Sequence, residues 1–173
     1  MPADDEESAR IAYDRTADAY AQLFTATEPE QPIDLAMIDH FAGLLPSPRR
    51  VPRYRFTVGS LRHLGYPDDS FDGVFSSYST IHNPDEDLDR IFAEMARVTR
   101  PGGLVLLAFQ VGHGVRRVGK YLRAASGHDV TLNRYHRSVA QIISQLAARS
   151  ILRPSSSARA ARTPACAGGA LPR

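Results

Sequence analysis

The run from Phe71 to Phe109 constrains this chain more than any other segment. Phe71-Asp72-Gly73-Val74-Phe75-Ser76-Ser77-Tyr78 is rich in β-formers and apolar enough to be half or fully buried, which predicts a strand over Phe71 to Ser79. Asn83-Pro84-Asp85-Glu86 then supplies a helix start, with Asn as the cap, Pro at the first position and Glu at the third. Leu88, Ile91, Phe92, Met95 and Val98 trace one face of that helix. Pro101-Gly102-Gly103 stops it and turns the chain into a second apolar strand, Leu104 to Phe109. Strand, helix, glycine stop and strand in that order make a right-handed βαβ crossover, whose two strands run parallel.

The flanking segments extend the same architecture. Ile11, Tyr13, Ala17, Tyr20 and Leu23 recur at helical spacing and predict a helix over Ser8 to Phe24. Leu35, Ile38, Phe41 and Leu45 make the stripe of a second helix from Ile33, which Pro46 and Pro48 end. Tyr54, Phe56 and Val58 alternate with Arg55 and Thr57, which predicts a strand over Arg53 to Val58, closed by Gly59-Ser60. Val115 to Ala125 and Val139 to Leu152 read as further helices. From Arg153 onwards large apolar residues almost vanish, and a disordered tail is expected over 153–173. The expected organisation is one α/β domain over 1–152, with about three parallel strands flanked by helices.

A length of 173 residues allows one domain with a real core, and 43% hydrophobic with 23% charged residues is ordinary for a globular chain. No run approaches a membrane span, and the acidic start from Met1 to Glu7 lacks the features of a signal peptide. With Cys166 as the single cysteine, no internal disulfide forms, and the cytoplasm is the expected location. Charge is uneven: seven arginines and no acidic residue follow Asp129, so the first 129 residues carry 14 basic against 19 acidic groups. A basic tail can mean nucleic-acid contact. Here the tail is mostly Ala, Arg, Pro, Ser and Gly, and the chain holds a single lysine, Lys120. Composition bias is the simpler reading, and no nucleic-acid partner is expected.

Five motifs in order resemble the class I S-adenosylmethionine-dependent methyltransferases of the "type 11" kind. Tyr13-Asp14-Arg15-Thr16-Ala17-Asp18-Ala19-Tyr20 is similar to the family's N-terminal helix, which closes over the cofactor. Phe56-Thr57-Val58-Gly59-Ser60-Leu61 resembles its third strand, whose end borders the adenine; many relatives carry Asp where this chain has Ser60. Pro67-Asp68-Asp69-Ser70-Phe71-Asp72 resembles the entry to the fourth strand, Phe71 to Tyr78 that strand, and Arg97 to Gly103 the turn into the fifth. The resemblance implies an incomplete Rossmann-like fold, S-adenosylmethionine as cofactor and a small-molecule acceptor. It assigns Tyr13, Tyr20, Gly59, Ser60, Leu61 and Tyr78 to the cofactor.

Two parts of the family pattern are missing. Cofactor binding in such folds needs a strand ending in a glycine-rich turn, a helix N-terminus and an acidic residue for the ribose hydroxyls. Nine residues separate Leu45 from Arg55, whereas a βαβ unit takes roughly 30, and no D-x-G-x-G run occurs anywhere. The C-terminal strand pair is also not evident after Leu152, as a frameshift near residues 147 to 153 would explain. Weak cofactor binding is therefore expected. A non-catalytic remnant, or a subunit docking onto an intact relative and self-associating through open strand edges, is the alternative.

Among remaining candidates, His82 lies just beyond the fourth-strand motif, where open α/β sheets place ligands. An imidazole there suits a general base, and equally a residue that merely ends the strand beside Asn83. Gly112-His113-Gly114 reads as a tight turn. His113, His128 and His136 have no compact ligand spacing and no partnering cysteine, so no metal is expected. Gly127 to Val130 with Tyr135-His136 resembles the family's lid over the substrate.

Overall fold

A computed structural model describes residues 5–23, 32–46 and 56–148. Its elements in chain order are α1 (Asp5–Leu23), α2 (Pro32–Leu44), β1 (Phe71–Ser77), α3 (Asp85–Val98), β2 (Thr99–Ala108), β3 (Gly114–Val118), α4 (Lys120–Ser126), β4 (Leu132–His136) and α5 (Val139–Ala148).

The crossover forms as the pattern dictates. β1 and β2 run parallel, with Val74 opposite Val105 and Ser76 opposite Leu107, and α3 connects them. Leu88, Ile91, Phe92 and Met95 of α3 join Ile142 and Leu146 of α5 in a core packed on Val74, Val105 and Leu107. Burying side chains of this size contributes about 2 kcal/mol each. α2 lies against the other face of β1 through Phe41, whose ring is 6.4 Å from that of Phe75, and leaves Phe75 40% exposed. Helices thus flank both faces of a parallel pair, one closely and one loosely, in the expected partial Rossmann-like α/β arrangement. β2 starts at Thr99, directly after α3, and not at the expected Leu104, so the Pro101-Gly102-Gly103 run lies inside the strand, where the register shifts between the Phe71–Thr99 and Gly73–Leu104 pairs. A Cβ on Gly103 would lie 2.7 Å from the Asp72 carbonyl oxygen, and Gly102 has φ of 81°.

Four further expectations need correction. The parallel strands number two among the described residues, because Phe56 to Gly59 belong to no strand and Phe56 and Val58 are 94% and 99% exposed. Alternation alone does not make a strand; it needs a neighbour to bond to, and among the described residues none pairs with it. Arg53 to Arg55 lie outside the described residues. The helix expected over Val115 to Ala125 is split, because Gly114–Val118 pairs antiparallel with Leu132–His136 and Gly119, at φ 130°, breaks the chain before α4. The α3 cap is Pro84 rather than Asn83; no side chain caps the helix, and buried Asn83 gives its carbonyl to Arg137. Finally, β1 ends at Ser77, with Tyr78 already at φ 51°. The end of α5 and the tail expected from Arg153 lie outside the described residues.

Candidate active site at the end of β1

Tyr78 continues the parallel ladder for one more bond, from its N–H to the Ala108 carbonyl at 2.8 Å, and then turns in the left-handed region. That conformation is costly for a tyrosine and ends the strand where this fold class binds ligands. The chain runs on through Thr80 and Ile81 to His82. α1 packs across this end on Ala12, against Val130 and Leu132 of the hairpin side.

Between them lies a cleft of about 440 Å³. Tyr13, Tyr20, Gly59, Leu61, Tyr78 and His82 all line it. Ser60, the remaining expected residue, turns away: its hydroxyl donates to the Glu6 carboxylate and accepts from the Arg62 N–H at 3.1 Å. Glu6 also pairs with Arg62 at 2.9 Å, and Arg62 with Asp87 at 2.8 Å, so α1 is tied to the start of α3. A second tie comes from Asp5, whose carboxylate accepts from Asn133 Nδ2 at 3.1 Å and from the Tyr135 hydroxyl. Burial and that bond push the Tyr135 phenol up to about 12.

His82 is held at both ring nitrogens, Nδ1 lying 2.6 Å from the Asn133 carbonyl oxygen and Nε2 3.2 Å from the Tyr13 hydroxyl. Burial pulls the imidazole below its ordinary value and Arg134 adds to the pull, while the Asn133 carbonyl and Asp5 oppose it. Burial raises the Tyr13 phenol, as does its neighbour Tyr20, whose ring packs edge-on at 5.7 Å. The base candidate is thus neutral and the phenol beside it protonated near neutral pH.

The sequence did not point to Asp5, Glu6, Arg10, Asn133 or Arg134. Asp5 and Glu6 suit a helix N-terminus by charge alone, and that ordinary role hid their long-range one. Asn133 meets His82 through its backbone carbonyl and Asp5 through its side-chain amide, and neither contact leaves a local pattern in the sequence. His113 and His136 line a separate hollow of about 240 Å³ with Asp85 and Glu86, and His128 is not among its lining residues. Among the described residues no three His, Cys, Asp or Glu gather to hold a metal.

The family model described as "Methyltransferase domain" matches residues 19–107, just over half of the chain. The chain belongs to this methyltransferase family. Methyltransferase GfsG of Streptomyces halstedii is 45% identical over 62 residues, 36% of this chain and 22% of that protein. A demethylmenaquinone methyltransferase of Renibacterium salmoninarum is 35% identical over 97 residues, 54% of this chain and 40% of that protein. A sterol 24-C-methyltransferase of Aspergillus fumigatus is 39% identical over 49 residues, 28% of this chain and 12% of that protein. The matched part is well under half the length of each of these relatives. No solved structure matches. The methyl donor of the family is S-adenosylmethionine. Among the described residues, no helix is long and apolar enough to cross a membrane.

The donor set of the cleft fits that group at its cationic and aromatic ends. Three tyrosines and Leu61 offer flat apolar surface to an adenine, and aromatic faces attract a positive sulfur. No described glycine-rich turn faces the cleft to take the backbone of the ligand closely.

Proposed function

We propose that this chain holds S-adenosylmethionine in the tyrosine-lined cleft and methylates a small-molecule acceptor, with binding weakened by the missing glycine-rich turn. The observation that carries the reading is the convergence of Tyr13, Tyr20, Gly59, Leu61, Tyr78 and His82, far apart in sequence, on one cleft at the carboxyl end of β1. When bound, S-adenosylmethionine supplies a methyl group on a positively charged sulfur. Tyr13 and Tyr20 cover the cleft from α1, Gly59 and Leu61 border it, and Ser60 keeps Glu6 in place rather than meeting the adenine. His82 is the proton acceptor of the site. Residues 1–152 form the catalytic unit, in the cytoplasm and with no nucleic-acid partner.

Calorimetric titration of the purified chain with S-adenosylhomocysteine tests this. Binding in the micromolar to high micromolar range, lost in Tyr78→Ala, is expected. No heat at millimolar ligand overturns it.

A second reading rests on a different observation. Among the described residues β1 bonds to β2 on one edge and to no strand on the other. An open edge of that kind recruits another strand, so the chain would dock onto an intact relative or onto itself without catalysing. It predicts no cofactor binding and a mass that rises with concentration in sedimentation.

A further inference from the structure

We propose that Tyr13 is the group that meets the acceptor, and that Tyr13 and His82 form a relay removing a proton from a hydroxyl or N–H acceptor as it is methylated. This rests on the cofactor reading above and narrows its substrate to protic acceptors.

The geometry assigns the proton positions. A carbonyl oxygen only accepts, so His82 Nδ1, 2.6 Å from the Asn133 carbonyl, carries the hydrogen. The neutral ring then has its lone pair on Nε2, which accepts from the Tyr13 hydroxyl at 3.2 Å. Both nitrogens of His82 are engaged, and a proton from the cleft reaches Nε2 by way of the Tyr13 oxygen. That oxygen has lone pairs to spare after donating, and Tyr13 and His82 both line the cleft. The rings lie edge to face at 5.9 Å, which holds the pair in register.

The charges around the pair set its resting state. Burial and Arg134 of β4 disfavour an imidazolium, while the Asn133 carbonyl and Asp5 of α1 favour one. Burial and Tyr20 keep the Tyr13 phenol protonated, and Arg134 opposes them. Glu6 and Arg10 also line the cleft, Glu6 held by Ser60 and Arg62, and Arg10 by Glu7 and Asp14. A neutral imidazole behind a protonated phenol is the arrangement a relay starts from.

The step balances. The O–H or N–H bond of the acceptor breaks and its proton goes to Tyr13 Oη, while the Tyr13 proton moves to His82 Nε2. The electron pair on the acceptor forms its new bond to the methyl carbon; the methyl–sulfur bond of S-adenosylmethionine would break as it forms, its electron pair staying on the sulfur of the departing S-adenosylhomocysteine. His82 ends as an imidazolium held by the Asn133 carbonyl and returns its proton to solvent through Tyr13. An acceptor with no proton to lose, such as a tertiary amine, gains nothing from this pair.

The test uses the full chain and Tyr13→Phe, which keeps the ring packed against Tyr20 and His82. Nitrogen NMR of labelled histidine reads the tautomer without cofactor or turnover: Nδ1–H is expected, and Nε2–H overturns the relay. Methylation of a panel of phenols and primary amines is then followed against pH. In wild type the rate falls on the acid side as His82 protonates; Tyr13→Phe loses about 100-fold or more and that acid limb with it, while S-adenosylhomocysteine still binds. A Tyr13→Phe chain that keeps the rate and the limb makes the bond a structural staple and overturns the relay. Cofactor binding without turnover of any panel member overturns the relay and leaves the cofactor reading standing. Absence of cofactor binding overturns both.

Discussion

In the half of the molecule built on α3, Leu88, Ile91, Phe92, Met95 and Val98 are each no more than 1% exposed and pack on a parallel strand pair. In the half built on α1, the buried apolar cluster is Ala12, Val130 and Leu132, and polar contacts of Asp5, Glu6 and Tyr13 do much of the joining. Apolar burial is strong and non-directional, so the first half makes a scaffold. Hydrogen bonds are individually modest but directional, so the second half sets geometry and opens more readily. The cleft lies on the seam between them, with rigid β1 on one side and a helix held by a few polar ties on the other.

The comparison breaks most visibly if Phe92→Ala is mild. Phe92 is 1% exposed at the centre of the larger core, and truncation there costs about 4 kcal/mol. Urea unfolding should show a large fall in midpoint and the collapse of both halves together; a loss under about 1 kcal/mol would mean α3 is not the scaffold.

Arg137→Met, next in size, attacks the seam itself. The Arg137 side chain is 1% exposed, with Nε on Asp85 at 2.7 Å, Nη1 on the Thr80 carbonyl at 3.0 Å and Nη2 on the Asn83 carbonyl. Methionine fills the volume but leaves the Asn83 carbonyl without a donor and the Thr80 carbonyl with the Asn83 N–H at 3.2 Å alone, at a cost of about 2 kcal/mol. Because Thr80 and Asn83 flank His82, cofactor binding should weaken in parallel with stability. Stability lost without any change at the cleft would separate the two.

The same division explains what could be read from the chain. α3, β1 and the apolar part of β2 were legible because local pattern and tertiary role coincide there: the stripe from Leu88 to Val98 is the face that is buried. Tyr13, Tyr20, Tyr78 and His82 were legible as candidates through motif order. Their joining was not, because it depends on Asn133 offering a backbone carbonyl and on Asp5 reaching Tyr135, contacts that span more than 50 residues. Phe56 and Val58 misled for the converse reason, since their alternation is strand-like while no strand among the described residues pairs with them. Val115 to Val118 misled because apolar spacing over so short a run suits helix and hairpin alike.

Acid should split the halves in order. His82 sits below its ordinary 6.5 when folded, chiefly through burial, so the unfolded chain binds a proton that the folded one refuses. Stability then rises with pH across that interval, and the contribution is lost as pH falls below about 6.5. Glu94 of α3 is lowered from 4.5 to about 2, first by its hydrogen bond from Arg97. Its contribution is complete above 4.5 and lost as pH falls toward 2. Between these windows hydrogen exchange should quicken in α1 and the Tyr78–His82 loop while α3 stays protected. Simultaneous loss of protection in both helices would refute the division.

The smallest effect sharpens the comparison most finely. The Ser60 hydroxyl donates to Glu6 and accepts from the Arg62 N–H, so Ser60→Ala removes two bonds at one end of α1 and touches nothing in the α3 core. Glu6 keeps Arg62 as its partner, which limits the loss to about 1 kcal/mol. Global unfolding should therefore hardly move. The change belongs in the exchange rates of the first turns of α1 and in a weaker hold on S-adenosylhomocysteine, because the helix that carries Tyr13 and Tyr20 is less firmly seated over the cleft. A Ser60→Ala chain that binds as tightly as wild type would mean that α1 is positioned by Asp5 and the Tyr13–His82 bond alone, and that the Glu6 tie serves the scaffold instead of the site.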